Sequence, residues 1–124
     1  MTFMSRVTGL RILLVEDEPI VAVLAEDMLD AIGCIVAATV ATVADAQAAI
    51  ESLSFDIAMV DINLDGEDGL IVANALSQRG IPNLITTGYD MRSTAPSQPT
   101  SIILTKPYAL SDLETALERC ADGR

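Results

Sequence analysis

The sequence predicts an α/β fold built around a parallel sheet, and two patterns in the chain indicate it. Short apolar runs rich in Ile and Val alternate with longer amphipathic segments along the chain. These runs show little apolar–polar alternation, which is typical of strands that are covered on both faces. Strands that alternate with helices favour right-handed crossovers in one open, doubly wound sheet. We therefore predict five parallel strands in the order 2-1-3-4-5.

Five apolar runs are the candidate strands. Each is four or five residues long, and together they are Arg11–Val15, Cys34–Ala38, Asp56–Val60, Asn83–Thr86 and Ser101–Leu104.

Helix signals follow the first two runs. Pro19 suits the first turn of a helix that Gly33 ends, and the apolar residues predicted on its inner face are Ile20, Leu24, Met28 and Ile32. A capping-box pattern that begins at Thr42 opens a second helix, whose predicted inner residues are Ala46, Ile50 and Leu53.

The second half of the chain predicts two more regular helices and one defective one. The third helix spans Gly69–Arg79, and the last opens at a capping box over Ser111–Glu114 and turns Leu113, Leu117 and Cys120 inward. Between them, Met91–Thr100 contains two prolines and no apolar stripe. The fourth helix of the fold is therefore expected to be short or degenerate.

Composition limits the classes of protein to which the chain can belong. Its 124 residues suit one domain with one core, and no repeat or linker divides them. We predict a domain over residues 10–122 behind a short disordered lead at residues 1–9. A formal net charge of -11 would repel phosphate backbones and acidic lipid surfaces, so we expect neither a nucleic-acid nor a membrane partner.

The histidine and cysteine content and the apolar segments limit the chemistry and the location of the protein further. The chain contains no histidine, which excludes a histidine base, a histidine metal site and a phosphohistidine carrier within it. Cys34 and Cys120 form no CxxC pair, so we expect two buried, reduced thiols in a cytoplasmic protein. No apolar run approaches the ~20 residues that span a bilayer, and residues 1–9 lack the apolar segment of a signal peptide.

Polar side chains follow four of the predicted strands. Glu16 and Asp17 come after the first strand and Asp61 after the third. Thr87 follows the fourth strand, and Lys106, the only lysine, follows the fifth. Because the carboxyl ends of parallel strands line one edge of an open sheet, these side chains should converge there.

This set of side chains suits a magnesium-dependent phosphoryl transfer. Clustered carboxylates require a cation, and an oxygen-only ligand set with retained waters suits Mg²⁺. One carboxylate can then attack phosphorus and form an acyl phosphate, while Mg²⁺ and the Lys106 ammonium offset the developing charge.

The ordered set resembles the receiver domain of two-component response regulators, in the CheY-like superfamily, which has a flavodoxin-like fold. The resemblance covers residues 10–121. It implies that Asp61 is the phosphoacceptor, that Asp17 binds Mg²⁺ directly and that Glu16 contributes through water. It also implies that the backbone carbonyl of Asn63 is a further metal ligand.

The resemblance also implies how the site signals. Thr87 would reorient toward the phosphoryl group, Lys106 would pair with it, and the Lys106–Pro107 bond would be cis. The segment Thr87-Gly88-Tyr89 is similar to that of small single-domain receivers. We therefore expect a stand-alone receiver that accepts its phosphoryl group from a sensor histidine kinase or a phosphotransfer protein. Its output would be contacts with an unknown downstream protein, and slow self-dephosphorylation, rather than enzymatic turnover, would end the signal.

Some positions depart from the family pattern or carry no predicted role. Ile103 stands three residues before Lys106, where an aromatic switch residue is common, and Tyr89 is a candidate replacement for that aromatic. The remaining acids near the site are expected to be solvated or to cap helices, and Tyr108 is expected to pack; these acids are Glu18, Asp65, Glu67 and Asp68.

Two other motifs partly match the same residues. The segment Asp61–Gly66 matches the start of an EF-hand loop, but Val72 stands at the twelfth position and a strand precedes the segment. A hydrolase with an aspartate nucleophile is disfavoured because Asn63 stands where a second acid is needed. Two alternatives remain open: a receiver excised from a larger hybrid kinase or regulator, and a metal-binding or scaffold module that is never phosphorylated.

Overall fold

A five-stranded parallel sheet forms the centre of the protein, and residues 6–88 and 101–122 are those that the computed structural model describes. In chain order the strands are β1 (Arg11–Val15), β2 (Ile35–Val40), β3 (Ile57–Asp61), β4 (Asn63–Leu64), β5 (Glu67–Asp68), β6 (Asn83–Thr87) and β7 (Ser101–Thr105). The short β4 and β5 pair antiparallel as a separate hairpin. The other five lie in the order β2-β1-β3-β6-β7, which confirms the predicted order 2-1-3-4-5 of the main strands.

Helices cover both faces of this sheet. Those in the described part of the chain are α1 (Pro19–Ile32), α2 (Val43–Ser52), α3 (Leu70–Gln78) and α4 (Leu110–Asp122). Successive residues of a strand point to opposite faces. Ile12 and Leu14 of β1 therefore join the core cluster beneath α1 and α4, whereas Leu13 and Val15 join the cluster beneath α2 and α3.

Burial along the strands follows their place in the sheet. The central strands β1, β3 and β6 are buried over nearly their whole length, as their continuous apolar character predicted. The edge strands β2 and β7 are partly exposed, and Leu104 is the one buried residue of β7.

The ends of α1 are as predicted, but only the second half of its predicted inner face is confirmed. Pro19 begins the helix and Gly33, with φ of 100°, ends it. The predicted inner residues Ile20 and Leu24 are 76% and 58% exposed. Ile32 is buried as predicted, and Met28 is partly buried against the core. The other residues that face the sheet are Ala22, Ala25 and Leu29. Two small alanines let the helix backbone approach the sheet closely, so the larger apolar residues of the first two turns are left outside.

The other helices differ from prediction in small ways. Leu53 lies beyond the end of α2 and is 39% exposed instead of buried. Thr42 caps α2 as expected, because its hydroxyl accepts the Asp45 amide at 3.0 Å. The last helix begins earlier than its predicted capping box, and Asp112 rather than Glu114 reaches back, accepting the Ala109 amide at 2.9 Å. Its predicted inner face, Leu113, Leu117 and Cys120, is confirmed.

The expected disorder of residues 1–9 is wrong for residues 6–9, while residues 1–5 lie outside the described part. Val7 is completely buried beneath α1 and α4, and the Gly9 amide donates to the Gly33 carbonyl at 2.8 Å. Arg6 forms an ion pair with Asp122 of α4, with 2.6 Å between Nη1 and Oδ1. An apolar side chain and two polar contacts thus hold this turn against the core.

Three other sequence predictions concern the cysteines, the fourth helix and a membrane span. Cys34 and Cys120 are free and buried, and burial raises the pKa of these thiols to about 11 and about 12. They therefore behave as small apolar core residues, as predicted.

Two predictions concern residues outside the described part of the chain. They are the degenerate helix at Met91–Thr100 and the role of Tyr89 as a replacement aromatic. Within residues 6–88 and 101–122, no helix has both the length and the hydropathy that a bilayer span requires.

Candidate functional site

The carboxyl edge of the sheet brings the predicted site residues together. Glu16 and Asp17 follow β1, and Asp61 is the last residue of β3. One carboxylate oxygen from each of these three acids lies within 4.8 Å of the other two. Lys106, which follows β7, places its Nζ 3.0 Å from Asp61 Oδ2 and 3.6 Å from Glu16 Oε1.

An open cavity of about 480 Å³ lies over this cluster. Its walls come from the carboxyl ends of β1, β3, β6 and β7 and from the segment after Asp61: Asp17, Glu18, Asp61, Ile62, Asn63, Asp65, Gly66, Gly88 and Lys106. The cavity thus gives a ligand of a few heavy atoms direct access to the Asp61 carboxylate.

Asp61 is only 7% exposed, and both oxygens of its carboxylate have a hydrogen-bond partner within the protein. Oδ1 accepts a hydrogen bond from the backbone amide of Asn63 at 3.0 Å, and Oδ2 accepts one from the Lys106 ammonium at 3.0 Å. Gly69 packs directly against the backbone here, since a Cβ at that position would lie 2.1 Å from the Asp61 carbonyl oxygen. Glycine is therefore required at the start of α3 for the end of β3 to lie where it does.

Strand pairing fixes the position of Lys106. Its amide donates to the Thr87 carbonyl at 2.7 Å, which continues the β6–β7 ladder one step past Thr105. The peptide bond to Pro107 is cis, as predicted. Burial lowers the pKa of Lys106, but the hydrogen bond to Asp61 and the charges of Asp61 and Glu16 outweigh it, so the pKa is raised.

Glu16 is the most deeply buried acid of the cluster, at 6% exposure. Its Oε2 accepts the Glu18 amide at 3.2 Å. Burial, reinforced by the neighbouring Asp61, raises the pKa of Glu16 to about 7. Among the described residues, three carboxylates lie beside one ammonium and leave an excess of negative charge, so a proton or a cation is stabilising here.

The donor set fits a divalent cation of the hard class. Carboxylate oxygens are the ligands that Mg²⁺ prefers, and it commonly takes only one or two of them while it keeps several waters. Glu16, Asp17 and Asp61 supply closely spaced oxygens, and the cavity leaves space for waters beside them. Asn63, the fourth predicted ligand, lines the same cavity.

Thr87 lies at the same edge but is hidden from the cavity. Its side chain is completely buried at the end of β6, and the cavity wall beside it is Gly88. Among the described residues, its Oγ1 is the one buried side-chain oxygen or nitrogen without a hydrogen-bond partner. A buried hydroxyl without a partner is costly, and it is satisfied when an acceptor oxygen comes within reach.

Sequence reasoning missed the β4–β5 hairpin that forms one wall of the cavity. Asp65 and Gly66 have φ of 50° and 86°, the left-handed values of a two-residue hairpin turn. The Asp-Gly pair was the available signal for this turn. The N-cap residue of α3 is Gly69, and Asp68, the predicted cap, precedes it and accepts the Leu70 amide at 2.9 Å. Glu67, expected to be solvated, accepts the Val43 amide at 3.2 Å and so joins the hairpin to α2.

Tyr108 also lies closer to the site than its predicted packing role suggested. It packs against the core cluster beneath α1 and α4. Burial and the charges of Glu16 and Asp61 raise the pKa of its hydroxyl to about 12. Its place two residues after Lys106 was a signal of proximity, but spacing alone did not show the direction of its side chain.

The comparison with protein families agrees with this geometry. The family model of the response regulator receiver domain matches residues 12–118. The chain belongs to the response regulator receiver family. Receiver domains take part in two-component signalling and interact with histidine kinases or phosphotransfer proteins.

Solved receiver structures resemble this receiver over most of its length. The solution structure of SdrG from Sphingomonas melonis Fr1 is 36% identical with a TM-score of 0.77, covering 95% of this chain and 99% of that chain. The NMR structure of the PhyR response regulator REC domain from Erythrobacter litoralis is 29% identical with a TM-score of 0.78, covering 93% and 92%.

A curated relative places a similar domain in a larger protein. Sensor protein TorS of Escherichia coli (strain K12) is 35% identical over 68% of this chain, and the match spans 9% of that sensor. The receiver therefore corresponds to a small part of TorS.

Proposed function

We propose that this receiver accepts a phosphoryl group on Asp61, with Mg²⁺ held by Glu16, Asp17, Asp61 and Asn63. The observation that carries the proposal is the contact of 3.0 Å between Lys106 Nζ and Asp61 Oδ2 within the cluster of carboxylates. An ammonium that already touches the acceptor carboxylate can pair with a phosphoryl oxygen placed there. When bound, Mg²⁺ supplies positive charge for the oxygens of the transferred group.

The proposed reaction is one phosphoryl transfer followed by a slow hydrolysis. An Asp61 carboxylate oxygen forms a bond to phosphorus as the P–N bond of a donor phosphohistidine breaks. The electron pair of that bond stays on the imidazole nitrogen of the donor, which then takes up a proton. Water later attacks phosphorus, the P–O bond to Asp61 breaks, and the carboxylate is restored together with inorganic phosphate.

Lys106 and Thr87 are proposed to hold the transferred group. Lys106 would exchange its contact with Asp61 for a phosphoryl oxygen, which keeps the ammonium paired. The Thr87 hydroxyl has no partner among the described residues, so a phosphoryl oxygen would satisfy it. A rotation that brings this hydroxyl to the phosphoryl group would alter the surface near β6 and so report phosphorylation to a partner.

An apolar patch on α1 is proposed as the contact for the phosphodonor protein. Ile20, Val23 and Leu24 are 76%, 53% and 58% exposed and share one helical face. The patch adjoins the cavity, because Asp17 and Glu18 line it and α1 begins at the next residue. The charged residues of α1 are all acidic, which favours a partner helix with apolar and basic residues.

The chain is proposed to signal through protein contacts as a cytoplasmic, single-domain receiver. Its similarity to SdrG extends over 99% of that structure. The similarity to a segment of TorS favours a second candidate, a receiver that works within a hybrid sensor. In either setting the phosphoryl group would be accepted by Asp61.

Titration with a phosphoryl mimic tests the proposal. Beryllofluoride added with Mg²⁺ to ¹⁵N-labelled protein should shift the amide signals of Asp61, Thr87 and Lys106, and Asp61→Asn should abolish the shifts. Shifts that persist in Asp61→Asn would contradict the acceptor assignment. If wild-type protein shows shifts with Mg²⁺ alone and none on adding beryllofluoride, the metal-binding alternative replaces it.

A further inference from the structure

A polar pair is buried at the other end of the two strands that carry Thr87 and Lys106. Asn83, the first residue of β6, is completely buried. Its Oδ1 accepts the Ser101 hydroxyl at 2.6 Å, and Ser101 is the first residue of β7. Its Nδ2 donates to the Ser77 hydroxyl at 3.2 Å and to the Ile81 carbonyl at 3.1 Å. The Asn83 amide group therefore joins β7 to the segment that ends α3.

The apolar residues of β7 specify its position along β6 only weakly. Ile102, Ile103 and Leu104 follow one another, so a strand moved by one residue still offers apolar side chains to both faces. In the observed register Ile103 is 38% exposed, Leu104 is buried, and Ile102 is only partly buried against the core. Contacts with the core therefore distinguish poorly between the observed register and a shifted one.

The polar pair makes that distinction. In the observed register Asn83 lies opposite Ser101, and the hydroxyl reaches the amide oxygen. A register that placed Ile102 opposite Asn83 would leave the buried amide oxygen against an apolar side chain, which is unfavourable. The opposite shift would place Ser101 where Ile102 now packs against the core.

The register of β7 determines where Lys106 lies. Ser101 is paired with Asn83 at one end of the ladder, and Thr105 with Thr87 at the other. A shift of one residue moves a strand by about 3.3 Å. The Lys106 ammonium lies 3.0 Å from Asp61 Oδ2, so a displacement of this size breaks the contact.

We infer that Asn83 and Ser101 are positioning residues for phosphoryl binding: their hydrogen bond fixes β7 along β6 and thereby holds Lys106 at Asp61. The inference rests on the proposed role of Lys106 in pairing with the phosphoryl group. It adds a determinant at the amino end of the strands, the full length of β7 away from the cavity.

A matched pair of variants tests this role, because Ser101→Ala and Ser77→Ala each remove one hydroxyl that is bonded to Asn83. The readouts are the affinity for beryllofluoride with Mg²⁺ and the ¹⁵N signals of protein labelled only at lysine, which report Lys106 alone because the chain has one lysine. Ser101→Ala should weaken beryllofluoride binding by about three- to tenfold and shift the Lys106 signals. Ser77→Ala should leave both unchanged, because Ser77 is not on β7.

A second pair separates the hydroxyl from the shape of the side chain. Ser101→Thr and Ser101→Val have nearly the same shape and both suit a strand. Threonine should retain wild-type affinity, whereas valine should reproduce the loss seen with alanine. Equal losses in Ser101→Ala and Ser77→Ala, or equal affinities in the threonine and valine variants, would overturn the positioning role alone. A wild-type protein that does not bind beryllofluoride would overturn the proposed function as well.

Discussion

Lys106 and Asp61 lie 45 residues apart in the chain, yet their side chains meet at 3.0 Å between Nζ and Oδ2. The same ammonium lies 3.6 Å from Glu16 Oε1. Without a metal ion, the Lys106 ammonium therefore offsets the charges of two buried carboxylates. The contact links the residue proposed to receive the phosphoryl group with the residue proposed to report its arrival.

Removal of the Lys106 ammonium should destabilise the metal-free protein and uncouple the signal. Lys106→Ala leaves two buried carboxylates unpaired, so we expect a loss of roughly 1–2 kcal/mol in the free energy of unfolding, reduced because Lys106 is partly exposed. Urea unfolding with and without Mg²⁺ measures this loss of stability, and Mg²⁺ should restore part of it.

The same variant should still be phosphorylated, but binding of the partner should no longer respond to phosphorylation. An unchanged response of partner binding would contradict the role of Lys106.

Glu16 should give the metal-free protein a characteristic dependence on pH. Burial raises the pKa of Glu16 from 4.5 to about 7, so the folded protein holds a proton that the unfolded chain releases. The contribution of Glu16 to stability therefore falls as pH rises from 4.5 to about 7 and is constant above that.

The comparison of wild type with Glu16→Gln isolates this group. Over that pH range, the free energy of unfolding of wild type should fall relative to the variant by roughly 2–4 kcal/mol. Urea unfolding at several pH values in the presence of a chelator measures the difference. Parallel profiles would contradict the raised pKa, and saturating Mg²⁺ should diminish the difference in wild type.

Gly69→Ala should damage the site through the backbone of its acceptor residue. The new Cβ would lie 2.1 Å from the Asp61 carbonyl, so β3 or α3 has to move. We expect a loss of roughly 2–4 kcal/mol in stability together with weaker beryllofluoride binding. Gly66→Ala is the control, because its Cβ would meet no atom of the described residues within 4 Å, and the φ of 86° is what opposes alanine there. Gly66→Ala should lower the free energy of unfolding by about 1–2 kcal/mol. Equal effects of the two substitutions would contradict the proposed constraint at Gly69.

The exposed patch of α1 should control transfer from a donor protein and not from a small molecule. Leu24→Glu places a charge in the patch and should slow phosphotransfer from a histidine kinase by about tenfold or more. Phosphorylation by acetyl phosphate should keep its wild-type rate, because that donor needs only the cavity. Leu53→Glu is a matched control at a leucine that is 39% exposed just past the end of α2. If both variants slow the kinase equally, net charge and not the patch explains the effect.

The sheet and most of the site could be predicted because they depend on local patterns. Apolar runs mark strands wherever both faces are buried, and residues at the carboxyl ends of parallel strands meet whatever the details of packing. Glu16, Asp61 and Lys106 could therefore be placed together without knowledge of any contact. The predicted ends of α1, at Pro19 and Gly33, were correct because each residue has a strong local preference.

Packing decided what the patterns left ambiguous. The first turns of α1 are apolar on several sides, so hydropathy did not show that Ala22 and Ala25 would pack inward and leave Leu24 exposed. Val7 precedes the first predicted element, and its burial depends on α1 and α4 together. The Asn83–Ser101 bond joins two strand starts whose pairing was not part of any local motif. These side-chain positions depend on which segments that are distant in the chain pack together, and local patterns in one sequence do not predict that packing.

The central claim, that Asp61 is the phosphoacceptor, is tested most directly by locating the phosphoryl group after transfer. A histidine kinase autophosphorylated with radiolabelled ATP should pass its label to the wild-type receiver in the presence of Mg²⁺. Reduction of the product with borohydride, followed by peptide mass spectrometry, should then mark Asp61. No label should appear on Asp61→Asn or in the presence of a chelator, while Asp65→Asn, a cavity residue without a proposed role in transfer, should still be labelled. Label found on another residue, or retained by Asp61→Asn, would contradict the account.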